Sequence, residues 1–178
     1  MRRRRFLQVA GAGAALARPA MAGEEAAAPV GADIYARLVR ATDGRIPALL
    51  ERQEAAPSGV VRDEHGIPSA GGTAGLVATL VSALAAPESR FAGSPELGQR
   101  IALAGRALLG LQHTDGTIDL HTTNFHSPPD TAFVLEPVCA SLSVIGKLGP
   151  PVPAGAAADL ERFARAAGEA LVVGGIHT

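Results

Sequence analysis

From Ser69 to Pro87 no residue carries a charge. Leu76, Val77, Leu80, Val81 and Leu84 recur in this run at helical spacing, and Pro87 ends it. A helix with no charged face has no side to offer to water, so other elements have to surround it. A bilayer is the alternative surrounding. The segment is of marginal length for a span and is filled with Gly, Ala, Ser and Thr, so the expectation is a buried inner helix.

The segments around it supply the neighbours. Asp33–Ala41, with Asp33 as its cap, and Ile46–Glu54, with Pro47 in its first turn, each predict a short helix. Residues 55–72, rich in Gly and Pro, read as a loop. Ser94 caps a helix that starts at Pro95 and runs to about Gln112, with Leu97, Ile101, Leu108 and Leu111 on one stripe. Asp130 to Lys147 has apolar residues around most of its circumference, which predicts burial on most sides and a kink at Pro137. Gly149-Pro150-Pro151 stops it, and Ala156 to Val173 forms the last helix, ended by Gly174-Gly175. Cys139 is the only cysteine, which rules out an intrachain disulfide; its apolar surroundings predict a buried, inert thiol. The fold class is all-α. Alternation of more and less apolar helices favours antiparallel helical hairpins, stacked as a solenoid or as part of an incomplete (α/α) toroid, over a four-helix bundle.

The chain of 178 residues opens with an address. Arg2–Arg5 precede Phe6-Leu7, an apolar run from Val9 to Ala17 follows, and Ala20-Met21-Ala22 is a small-x-small cleavage signal. Residues 1–22 therefore read as a twin-arginine signal peptide, which makes the export machinery a partner and the periplasm or the exterior the destination. Residues 23–31 read as a linker and 32–178 as the folded domain. Without residues 1–22, which carry five arginines and no acid, 11 basic residues face 17 acidic ones, a net charge of −6. That balance argues against nonspecific nucleic-acid binding, and no membrane association is expected once the signal is removed. Ile176-His177-Thr178 reads as the start of a further element, so the domain is expected to be the N-terminal part of a larger one.

Polar chemistry is concentrated in Gln112–Pro137, which holds three of the five histidines, three aspartates and the only asparagine. Its composition predicts a loop between two helices, where functional groups are commonly placed. Asp115-Gly116 reads as a tight turn, and Ser127-Pro128-Pro129-Asp130 as a helix start with Asp130 facing the N-terminal amides. Asp119 is expected to be solvated, and His113 and His65 to be loop or surface residues. His121, His126 and Asp130 could together hold a metal, although their spacing matches no specific ligand pattern. Asn124 and His126 form the pair with the clearest chemistry. A neutral amide can bind a carboxylate while an imidazole takes a proton from the adjacent carbon. The competing reading is that Asn124 caps a turn and His126 packs on it.

The runs Gln112-His113-Thr114-Asp115-Gly116-Thr117-Ile118 and Thr123-Asn124-Phe125-His126-Ser127-Pro128-Pro129-Asp130-Thr131-Ala132-Phe133, with Gly174-Gly175-Ile176-His177-Thr178, resemble the N-terminal part of secreted bacterial α/α-toroid polysaccharide lyases of the heparinase II/III-like and alginate-lyase-like kinds. The resemblance spans roughly Pro95 to Thr178. It implies β-elimination on an acidic, uronic-acid-containing polysaccharide or oligosaccharide, with no cofactor. Asn124 would neutralise the uronate carboxylate, His126 or His177 would assist proton abstraction, and His121 and Asp130 would bind substrate. Such lyases also use a tyrosine; the only one here, Tyr35, is far from the motif, so the chain alone is expected to be inactive. Two other readings stand beside this one. The first is a glycoside hydrolase on the same toroid, using Asp130 with a second carboxylate such as Glu136. The second is a noncatalytic exported helical-repeat protein that binds glycans.

Overall fold

The computed structural model describes residues 31–173, apart from residues 56 and 122. Among them lie five helices and one small ribbon: α1 (Ala32–Arg52), α2 (Ala70–Ala85), α3 (Pro95–Leu111), β1 (Ile118–Leu120), β2 (Asn124–Ser127), α4 (Pro128–Leu148) and α5 (Ala154–Val173). The signal peptide read at 1–22, all of the linker but Gly31, and His177 fall outside the described residues.

The uncharged helix buries its leucines and valines but is not enclosed on all sides, since Gly71, Gly75 and Ser82 form a stripe of small residues at the surface. Leu76, Val77, Leu80 and Val81 have no exposed surface, because α2 packs against α1, α3 and α4. Ser69 caps it, accepting from the Gly72 N–H at 2.9 Å. The main helix contacts run α2–α3, α4–α5, α2–α4 and α3–α5. Two consecutive hairpins therefore lie side by side, rather than the four helices packing in chain order around a bundle. α2 and α4 begin at the same end, since Ser69, Ala70 and Gly71 share a pocket with Asp130, Phe133 and Val134. α3 and α5 also run in one direction: Gly98 meets Pro153, Gly105 faces Asp159, and Gln112 reaches the Phe163 carbonyl. The fold is all-α with two layers, α2/α4 and α3/α5, around a core centred on Leu76, Leu80, Ile101, Leu108, Leu160 and Phe163.

Three further expectations need correction. The first two short helices are one continuous helix, α1, which starts at Ala32 behind Gly31 rather than at an Asp33 cap and has Pro47 inside it. A proline in a helix leaves the carbonyl four residues earlier without its donor. Here that carbonyl belongs to Asp43, and the Arg90 guanidinium donates to it at 2.9 Å. The Asp43 carboxylate accepts from the Ser89 hydroxyl at 2.6 Å and the Arg90 N–H at 2.9 Å, so the break is repaired from the α2–α3 connection. Second, α4 is not buried on most sides. Thr131, Val134, Val138 and Ser141 face inward, whereas Phe133 is 75% exposed. Its apolar composition, sufficient in length and character for a membrane span, reflects an open flank beside α2 and α5. Third, Cys139 lies on that flank and is exposed.

The connection after α3 is drawn tightly against α5. Gln112 Nε2 donates to the carbonyls of Gly116, at 2.9 Å, and Phe163, at 3.1 Å. Gly116 has φ +86°, and a Cβ there would run into the Ala166 carbonyl. Gly116→Ala should therefore lower unfolding stability by about 2–5 kcal/mol. Gly110→Ala, where a Cβ meets nothing within 4 Å, should raise it by about 0.5–1 kcal/mol. Urea denaturation of both variants measures the contrast.

Candidate functional site

The polar stretch is more ordered than a loop. Residues 113–117 close a turn in which the His113 N–H donates to Thr117 O at 2.8 Å and the Gly116 N–H to His113 O at 2.9 Å. Asp115 is the turn residue expected, accepting from the Thr117 N–H at 2.9 Å and the Thr117 hydroxyl at 2.6 Å. β1 and β2 then pair as an antiparallel ribbon. The alternation Thr117-Ile118-Asp119-Leu120 is the signal for it in the sequence. Thr131 fixes the ribbon to α4, its hydroxyl donating to Ser127 O at 2.7 Å and accepting from the Ile118 N–H at 3.0 Å. Ser127 caps α4, accepting from the Asp130 N–H and donating to the Asp130 carboxylate. Asp130 thus occupies the helix start, as its position in the sequence implies.

This framework brings two histidines together. The His113 and His126 rings stack with centroids 3.8 Å apart and planes 23° from parallel. Each is held by a carboxylate: His113 Nε2 lies 2.7 Å from Asp119 Oδ1, and His126 Nδ1 lies 2.8 Å from Asp115 Oδ2. A carboxylate only accepts, so in the neutral His126 ring the proton sits on Nδ1 and the Nε2 lone pair is free to take another. Thr117 Oγ1, 3.2 Å from Nδ1, steadies the same edge. The hydrogen bonds from the Thr117 hydroxyl and N–H, then from His126 together with its charge, outweigh partial desolvation and lower the Asp115 carboxyl to about 2. Burial pushes Asp119 up, but the His126 N–H and the His113 ring leave its carboxyl below the ordinary range.

His126 lines a cleft of about 680 Å³ between the 114–117 turn and the end of α5, with Asp115, Pro128, Glu169 and Val173 on its walls. His121 and Asp130 lie elsewhere, in a pocket of about 160 Å³ with Asp63, Asp119 and Phe133. The three residues considered as a metal set therefore do not converge. Among the described lining residues of both cavities there is no lysine or arginine. Asn124 is exposed on β2 and lines neither cavity; it shares the ribbon tip with Phe125, 70% exposed. Glu136 is exposed on α4, outside both cavities. His113 and Asp119, expected to be surface groups, are central. Asp119 keeps 13% of its side-chain surface exposed and ties the two histidines together. Compared with known proteins, the chain matches no family model, no curated protein and no solved structure.

The depressed Asp115 carboxyl sets a pH dependence. Its folded value lies below the ordinary 3.8, so its contribution to stability is complete above about pH 4 and is lost as pH falls through about 2. Unfolding measured against pH should find Asp115→Asn less stable than the parent above about pH 4, with the difference closing by about pH 2.

Proposed function

We propose that this chain carries the proton-transfer centre of an exported carbohydrate-active enzyme that cleaves a uronic-acid-containing polysaccharide by β-elimination. The observation that carries the reading is His126: its Nδ1 is engaged by Asp115, and its ring opens on a cleft large enough for a sugar unit. Phe125 and Asn124, the two residues before it on β2, are exposed and offer an apolar face for a sugar ring and an amide for a carboxylate. In the proposed step Nε2 of His126 takes the proton from the carbon bearing the uronate carboxylate. The released electron pair forms the ring double bond as the neighbouring carbon–oxygen glycosidic bond breaks, and the leaving oxygen takes its proton from the imidazolium that His126 has become. Asn124 stabilises the charge that develops on the carboxylate. His177, which lies outside the described residues, is the second candidate for the proton. His121 and Asp130 would bind a neighbouring sugar. The two parallel layers of stacked hairpins support an incomplete (α/α) toroid as the scaffold.

A glycoside hydrolase is the second reading, favoured by one observation: Asp115 and Glu169, with no lysine or arginine among the described residues, line the His126 cleft, which suits a neutral glycan better than a polyanion. Asp130 and Glu136 are not brought together as its acid pair.

The protein carrying this chain should release unsaturated, ultraviolet-absorbing products from a uronate polymer. His126→Ala and Asn124→Ala should each lower kcat/KM by about 10²–10³. New reducing ends without ultraviolet absorbance would establish the hydrolase instead. Binding that both substitutions weaken, with no turnover by the parent, would establish a glycan-binding protein. Replacing Arg4 and Arg5 by lysine should leave the precursor in the cytoplasm, as cell fractionation reads; unchanged export would overturn the twin-arginine route.

A further inference from the structure

The two strands of the ribbon are out of step by one residue. Ile118 pairs with Ser127 and Leu120 with Asn124, so Asp119 alone stands opposite Phe125 and His126. A bulge of this kind leaves one backbone N–H without a ladder partner and re-aims a side chain. The residue affected is His126, whose φ of 49° is left-handed. Such a backbone at a non-glycine residue persists only where its surroundings over-determine it. Asp115 and Thr117 hold the His126 ring, but neither touches its backbone. Asp119 does: its Oδ1 accepts the His126 N–H at 2.8 Å. The same oxygen accepts from His113 Nε2 at 2.7 Å. One atom therefore joins the segment leaving α3 to the bulged strand and sets the two imidazoles face to face.

We propose that Asp119 is a positioning residue of the proton-transfer centre, a role that rests on the reading of His126 as its acid–base group. Asp119 acts through the placement of a single acceptor rather than through its charge. Both hydrogen bonds go to Oδ1, so an asparagine whose amide oxygen takes that place keeps both. Its NH2 would then replace Oδ2, and the residue lines a small pocket with Asp63 and Asp130, whose carboxylates can accept from it.

The test compares the parent with Asp119→Asn and Asp119→Ala, each labelled at histidine for NMR. Asp119→Ala should lose the through-space signals between the His113 and His126 rings and lower kcat about 10- to 100-fold with little change in KM. Asp119→Asn should keep the ring contact and hold kcat within about threefold of the parent. Ring contact surviving in the alanine variant would overturn the proposal, and so would its loss in a folded asparagine variant. Should the alanine variant fail to fold, the asparagine variant decides alone by the same signal. If the whole protein carrying this chain turns over no polysaccharide, the functional reading fails, while the ring contact still decides whether Asp119 positions the pair.

Discussion

The burial of α2 is the constraint on which the rest of the molecule rests. A sixteen-residue helix without a charge has to bury its leucine and valine face, which α2 does against α1, α3 and α4, leaving only small residues such as Gly71, Gly75 and Ser82 at the surface. Once α4 packs along α2 in the same direction, the N-terminal ends of both helices come to one end of the domain. The chain arriving from α3 has to cross that end, and the ribbon is the crossing. The two histidines are where they are because a hydrophobic helix needed company on several sides.

Neutral hydroxyls then convert this coarse placement into a fine one. Thr131 is fully buried and has both a donor role and an acceptor role filled, so α4 and β1 cannot slide independently. Ser127 closes the first turn of α4, and Thr117 pins the carboxylate that holds His126. None of these groups ionises, so the frame of the site carries no charge of its own.

Three helices were legible in the sequence because each rests on local signals: the charge-free run for α2, the Ser94-Pro95 cap for α3 and the Ser127-Pro128 cap for α4; α1 starts behind Gly31 with no side-chain cap to announce it. Burial was less legible, since composition records what a face can bury and not what lies against it; hence α4 and Cys139 were read as enclosed. The continuity of α1 through Pro47 depends on Arg90, 43 residues later in the chain and outside any local window. At the site, Asp115 and Asp130 were correctly read as turn and helix-start residues, because those roles are decided within three residues of each. His113 and Asp119 were undervalued because their partners are reached across a bulge. Reading by polarity hid the short strand, and with it the stacked ring pair.

The extra residue in the ribbon also makes chain length matter. Side chains in a strand alternate between faces, so removing one residue between Asn124 and Ser127 would restore regular pairing and send the imidazole to the opposite side. The connection between β1 and β2 carries no such parity and can lengthen without moving the rings. Among proteins that share this arrangement, insertions should therefore collect in that connection, while the count of residues from Asn124 to the α4 cap stays fixed.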